Sequence, residues 1–394
     1  MSLLDKASLV QIPSGYKATK LYSVVPDSGA GDFTFARSST GSRVGSDGLI
    51  ETGVAIDTPR LDYSGGATCP TLLLEGQRTN LQTYSEDLTN GAWVTSNCSV
   101  AANQTTSPDG TTTADKVDYG AGSGFIRNGV TLGSATTFSI FIKYFDFQWI
   151  QIMTSGDVNH YANFDVQNGV LGNVGSSTEA EIEDYGNGWY RIVAKFVSGT
   201  FAGQPRLYKI TSGVRPWAGG DGDAGSYYMW GGQQEVGAFQ TSYIPTTSST
   251  VTRNNDAIPS QTLSTALTTQ GTIYIDFDKI IKSNTGFGFT NSLNQNSYMF
   301  YFYSDGMDVY NNAAFIVDRS TLEPNNSKVA VSWSGANVKV YINGNDRTKS
   351  GAVASLNNTE KISFDSSANI CNMNAIYLFN EQLSDAELTA LTTI

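Results

Sequence analysis

Val329-Ala330-Val331-Ser332-Trp333-Ser334-Gly335-Ala336-Asn337-Val338-Lys339-Val340-Tyr341-Ile342-Asn343-Gly344 is the stretch that decides the fold. Val329, Val331 and Trp333 alternate along one segment, and Val338, Val340 and Ile342 along the next. That period of two places side chains on one face of a β-strand. The second segment runs into Asn343-Gly344, a pair suited to the positive φ angles of a tight turn. The pattern predicts an antiparallel hairpin with one apolar face.

The same signal recurs on both sides of this hairpin. Ile273, Ile275 and Phe277 share a face in Gly271-Thr272-Ile273-Tyr274-Ile275-Asp276-Phe277, and Ala375-Ile376-Tyr377-Leu378-Phe379 reads as a closing strand. Ser384 as N-cap, Glu387 three residues later and the apolar pair Leu388 and Leu391 predict a short terminal helix that covers the edge or end of a sandwich. Further upstream, Phe138, Ile140 and Ile142 alternate, as do Tyr190, Ile192, Ala194 and Phe196, and an aromatic run covers Tyr227 to Trp230. Each is bounded by Gly, Asn, Asp or Ser, as in the short strands of a sandwich.

Three regions follow. Residues 1–80 are rich in Gly, Ser, Asp and Pro, with short apolar stretches at Phe33-Thr34-Phe35 and Thr71-Leu72-Leu73-Leu74. They are expected to lean on the next domain or on neighbouring subunits, as an attachment and oligomerisation segment. Residues 81–255 are expected to form a first β-sandwich and residues 260–394 a second. The polar run from Ile244 to Asn255 reads as an extended crossing between them. The fold class expected is all-β, two jelly-roll sandwiches behind an irregular N-terminal segment.

Composition agrees and excludes several functions. The 394 residues include 40 glycines, 15% charged and 11% aromatic side chains, which suits a turn-rich β-protein. The net charge of -12, with basic residues scattered, argues against nucleic acid as a partner. No segment approaches the length of a membrane span, and the first residues lack the apolar run of a signal peptide, so manufacture in a reducing cytoplasm is expected. Cys69, Cys98 and Cys371 are far apart and odd in number; buried thiols are expected rather than a disulfide framework. His160 is the sole histidine, which removes histidine-clustered metal sites and leaves it as a strand-end or surface residue. Gly120-Ala121-Gly122-Ser123-Gly124 has no following amphipathic helix or phosphate-loop lysine and reads as a flexible turn.

Two clusters could contact ligands. Glu179, Glu181 and Glu183 alternate onto one face beside the turn Gly186-Asn187-Gly188; a carboxylate pair for glycoside hydrolysis or a cation contact competes here with a solvated face. Trp149, Trp217, Asp221 and Asp223 combine an aromatic platform with acids in a Gly-rich loop and are the candidate ligand-binding residues. Asp221 and Asp223 could hold a hard cation such as calcium, against the alternative of acids that cap backbone amides in a turn. No catalytic residue is assigned.

Two sets of motifs carry a resemblance. Phe33-Thr34-Phe35-Ala36-Arg37-Ser38-Ser39-Thr40, Arg43-Val44, Asp47-Gly48-Leu49-Ile50-Glu51 and Pro59-Arg60-Leu61-Asp62-Tyr63 resemble a module of tailed-bacteriophage structural proteins. So do Leu72-Leu73-Leu74-Glu75-Gly76-Gln77-Arg78-Thr79-Asn80-Leu81, Tyr84-Ser85-Glu86-Asp87 and Ala238-Phe239-Gln240-Thr241-Ser242-Tyr243-Ile244-Pro245-Thr246. The last region, from Trp333 to Gly344 and from Leu378 to Leu388, resembles the concanavalin A-like, laminin G-like fold.

The resemblance implies a virion fibre, spike, or head or tail decoration, made in the host cytoplasm, homotrimeric, bound to other virion proteins and presenting lectin-like domains to host-surface glycans. It implies no enzyme, since the Glu-x-Asp-x-x-Glu strand of hydrolases with this sandwich is absent. It implies no cofactor beyond a calcium ion held by Asp276, Asp278 or Asp308, none of which sits in a strong motif. The alternatives are a glycan hydrolase or lyase in a phage spike, and a carbohydrate-binding module of a cellular protein.

Overall fold

A computed structural model describes residues 3–130, 135–154, 158–196, 203–216, 219–281, 285–303, 306–312, 314–317, 325–365 and 370–394. The deciding hairpin forms as read. Strands Asn325–Ser334 and Asn337–Ile342 pair with Val329 opposite Ile342, Val331 opposite Val340 and Trp333 opposite Val338, and all six side chains are buried in one core. Asn343 and Gly344 both take positive φ, 49° and 78°, and close a second two-residue turn that brings Asn345 opposite Ile342.

The chain builds two sandwiches. In the first, two six-stranded antiparallel sheets face each other. One carries Thr136–Tyr144 between Trp189–Phe196 and Gly225–Val236; the other carries Trp149–Thr154 between Pro205–Ile210 and Tyr161–Asp165. Phe138, Ile140 and Ile142 from one sheet meet Ile150, Ile152 and Leu207 from the other, so the alternating pattern is the physical cause of the sandwich.

The second sandwich stacks an eight-stranded sheet, centred on Gln270–Ile281 and Ile370–Phe379, over a five-stranded sheet that includes Ala257–Leu267, Thr359–Asp365 and Asn296–Tyr303. The helix Asp385–Thr392 starts from the expected capping box of Ser384 and Glu387. Its Leu388 seals the outer face of the large sheet with Tyr274, Tyr341 and Phe379. Among the described residues no helix is long and apolar enough to cross a membrane.

Residues 1–80 do not stand ahead of the sandwiches. Ala7–Gln11 and Thr71–Glu75 both pair with Ile370–Phe379, and Arg60–Asp62 extends the sheet beyond Thr71–Glu75. Leu9, Phe33, Phe35, Leu72 and Leu74 enter the same core as Trp333. The segment lacks apolar surface for a core of its own because it completes one whose other strands lie in residues 257–379, a pairing that local periodicity does not reveal. It leans on the last region of the chain through these strands and on the first sandwich through Ile50, which packs with Phe141, Trp189 and Trp230; the sequence pointed to its next neighbour or another subunit and did not indicate the pairing with the last region.

Smaller differences have similar origins. His160 stands at a strand end, immediately before Tyr161–Asp165, as one of the two expectations had it, and is fully buried beside the Phe196 ring, centroids 5.8 Å apart, rather than at the surface. Cys371 is buried, Cys98 is half-buried and Cys69 is exposed, so burial of all three thiols does not hold. Burial pushes the Cys98 thiol up to about 11. The turn Gly120–Gly124 is pinned by Asn97, whose side chain donates to the carbonyls of Ala121 and Ser123.

Candidate functional site

A hollow lies where the N-terminal region meets the first sandwich. It is a groove of about 570 Å³ walled by Tyr16, Arg43, Asp47, Glu51, Tyr63 and Asp109. Strands Gly41–Val44 and Ile50–Val54 form a hairpin whose loop, Gly45 to Leu49, makes one wall. The loop is closed by Gly45 N–H to the Leu49 carbonyl at 2.8 Å, with Gly48 at φ 78° and Asp47 accepting from Leu49 N–H at 3.1 Å. The start of the following strand docks on the first sandwich: Ile50 N–H donates to the Pro108 carbonyl at 2.9 Å.

Within the groove the Arg43 guanidinium lies 5.8 Å from the centre of the Tyr16 ring and donates to Glu51 at 2.7 Å. Burial works against the charged Arg43, but the Glu51 carboxylate outweighs it and raises the guanidinium above its ordinary value. Asp109 accepts from the Ser107 hydroxyl at 2.6 Å and from Thr111 N–H at 3.0 Å. Tyr63 is aimed by its neighbours: its N–H donates to the Val44 carbonyl, while Asp62 accepts from Val44 N–H. The result is two half-exposed aromatic rings flanked by one guanidinium and three carboxylates, the mixture of flat apolar faces and fixed polar groups that receives a sugar ring and its hydroxyls. A second hollow of about 200 Å³ continues past Leu49 toward Lys143, Tyr185 and Asn187.

Behind the groove runs a buried polar interlock. Arg60 donates to Glu75 at 2.6 Å, to the Ser242 hydroxyl at 2.8 Å and to Asp256. Arg37 donates to Asp256 at 3.0 Å and to the carbonyls of Val54 and Ala55. Arg253 Nη2 lies 3.5 Å from Glu75 and donates to the Gly76 carbonyl at 2.7 Å. Burial alone would push the Glu75 carboxyl up; Arg253, Arg60 and the Ser242 hydroxyl overcome it and hold it down to about 2. Nearby, Asn80 bonds the carbonyls of Gly232 and Ile244, and Ser85 bonds Tyr243. Of these residues, Arg37, Arg60, Glu75, Asn80, Ser85, Ser242, Tyr243 and Ile244 stand in the motifs that carry the phage resemblance, while Gly232, Arg253 and Asp256 lie outside them. Those motif residues bond across the junction of the N-terminal region with both sandwiches, and Arg43, Asp47, Glu51 and Tyr63, from the same motifs, line the groove together with Tyr16.

The sequence-derived candidates sit elsewhere, at one end of the first sandwich. Trp149 is half-buried on the outer face of its sheet, and a β-carbon at Gly172 or Gly213 would collide with its indole, so both glycines let backbone lie flat against the ring. Asp221 accepts from Thr211 N–H at 2.8 Å and from its hydroxyl at 3.1 Å, and pairs with Arg215. Asp223 is exposed on the same loop. Thus Trp149 and Asp221 are brought to one place by residues 211–215, and their described contacts frame that loop; Trp217 lies outside the described residues. Among Glu179, Glu181 and Glu183, Glu181 pairs with Lys195, and the Gln240 amide donates to Glu181 at 2.6 Å and Glu183 at 2.9 Å. In the last region Asp276 accepts from Asn374 at 3.1 Å, and among the described residues no group of three or more potential metal ligands comes together.

The groove was missed because Tyr16, Arg43, Tyr63 and Asp109 are dispersed in sequence and converge through non-local pairing. The Asp47-Gly48 turn between two short apolar strands was the local signal available.

No family model and no curated protein matches the chain. Among solved structures, similarity is found to a botulinum neurotoxin type C structure concerned with interaction with two ganglioside molecules, at 20% identity over 35% of this chain and 40% of that one, with a TM-score of 0.26. Domain 4 of the extracellular arabinanase AbnA of Geobacillus stearothermophilus, in complex with arabinotriose, matches at 10% identity over 40% of this chain and 84% of that one, TM-score 0.27. Mouse laminin alpha1 domains LG4-5 match at 9% identity over 67% and 89%, TM-score 0.18. The chain spans less than half of the first of these. Scores this low carry no argument about function, and the sandwich architecture stands on the strand pairing itself.

Proposed function

We propose that this chain is a non-enzymatic structural protein of a tailed-bacteriophage virion, a trimeric fibre or appendage component that holds host-surface glycans in the groove between Tyr16, Tyr63 and Asp109. The observation that carries the reading is the groove's composition: two half-exposed tyrosines beside fixed hydrogen-bonding groups, on the outside of an all-β scaffold. Its acids are engaged locally, Glu51 by Arg43, Asp47 by the Leu49 amide and Asp109 by Ser107 and Thr111, which favours accepting sugar hydroxyls over supplying a catalytic proton. The virion role rests on the phage-like motifs, whose residues form one coherent interlock.

The test pairs electron cryo-microscopy of the parent particle with a glycan array probed by the full chain. A trimer on the particle and retention of a defined, uncleaved glycan is the expected result. A monomer that retains nothing, or that shortens the glycan, overturns it.

A further inference from the structure

The first sandwich carries a second constellation on the outer face of the sheet that holds Trp149–Thr154. Strands Phe125–Arg127 and Pro205–Ile210 pair antiparallel with Phe125 opposite Tyr208 and Ile126 opposite Leu207. Ile126 and Leu207 are in the core, so Phe125, Arg127, Arg206 and Tyr208 point the other way. One further step of the register brings Arg127 opposite Arg206. Like charges directly across a strand pair repel, and this chain places them there despite a net charge of -12.

The guanidinium groups of Arg37, Arg43, Arg60, Arg215 and Arg253 each meet a carboxylate, while Arg78 stacks on Phe239 and Arg191 bonds Ser139 and the Thr241 carbonyl. Neither Arg127 nor Arg206 meets a carboxylate among the described residues. Arg206 lies 4.7 Å from the centre of the Phe125 ring and donates to the Tyr208 hydroxyl at 3.2 Å, which fixes its plane. The Nε atoms of both arginines are shielded from solvent and have no hydrogen-bond acceptor. The oriented Arg206 fork beside the Phe125 ring, with Arg127 on the same face of the strand pair, matches an anion that brings its own ring.

We infer that Arg127 and Arg206 bind the carboxylate of an acidic sugar, a uronate or similar residue, whose ring lies toward Phe125. A long polyanion such as nucleic acid is disfavoured by the chain's net charge of -12, and a bare inorganic ion would make no use of the Phe125 ring. This site is separate from the Tyr16–Tyr63 groove and stands or falls independently of it.

The test is calorimetric titration of the full chain with tetragalacturonate at constant ionic strength, with inorganic sulfate as the control anion. The uronate should bind, and Arg127→Gln and Arg206→Gln should each weaken it at least about tenfold, as expected for loss of a charge-assisted hydrogen bond. Both variants should unfold at the same temperature as the parent or higher, because each relieves the repulsion. No binding by the parent chain, unchanged affinity in both arginine variants, or binding of sulfate as tight as that of uronate would overturn the assignment.

Discussion

Arg60 and Glu75, on adjacent strands, meet at 2.6 Å with both side chains buried, and through Ser242 and Asp256 they tie the N-terminal region to the end of the first sandwich and the start of the second. Removing one partner of such a pair leaves an uncompensated buried charge. Glu75→Gln should therefore cost about 3–5 kcal/mol, measured by urea unfolding at neutral pH.

The same carboxylate sets an acid limit. Its folded value of about 2 lies below the ordinary 4.5, so its stabilisation is fully present above about pH 4.5 and is lost as pH falls toward 2. A plot of unfolding free energy against pH should descend through that window for the parent chain and less steeply for Glu75→Gln.

Leu74 is fully buried in the core of the last region although it lies in the first 80 residues. Leu74→Ala should cost about 2–5 kcal/mol, and hydrogen exchange should accelerate along Ile370–Phe379 while Thr136–Tyr144 is unaffected. Deleting residues 1–80 should expose the edge of Ile370–Phe379 and leave the last sandwich insoluble or molten. Intact, soluble sandwiches after that deletion would contradict the topology.

The terminal helix depends on its first residue. Ser384 accepts from Glu387 N–H while Glu387 accepts from Ser384 N–H. Ser384→Ala should lower stability by about 1 kcal/mol, read as a shift in the thermal midpoint.

What was legible in the sequence was local. The alternation of Val329, Val331 and Trp333, the Asn343-Gly344 turn and the Ser384–Glu387 box each encode their geometry within a few residues, and each formed as read. Illegible were pairings such as Leu72 with Met373, because two- to five-residue strands carry too little periodicity to name a partner 301 positions away. The groove shares that obscurity, since Tyr16, Arg43, Tyr63 and Asp109 acquire meaning only when the sheet closes. The phage-like motifs were visible, but their chemistry was not: that Arg60, Glu75 and Ser242 bond to one another across the chain appears only in the folded structure.

The most direct measurement is the affinity of the full chain and of Tyr63→Ala for a glycan captured from the host surface, with thermal unfolding of both. Retention by the parent chain and a loss of at least about tenfold in Tyr63→Ala, at an unchanged unfolding temperature, is the predicted result for a stacking contact. Equal retention by both proteins, or none by the parent chain, would contradict the groove as the site of attachment.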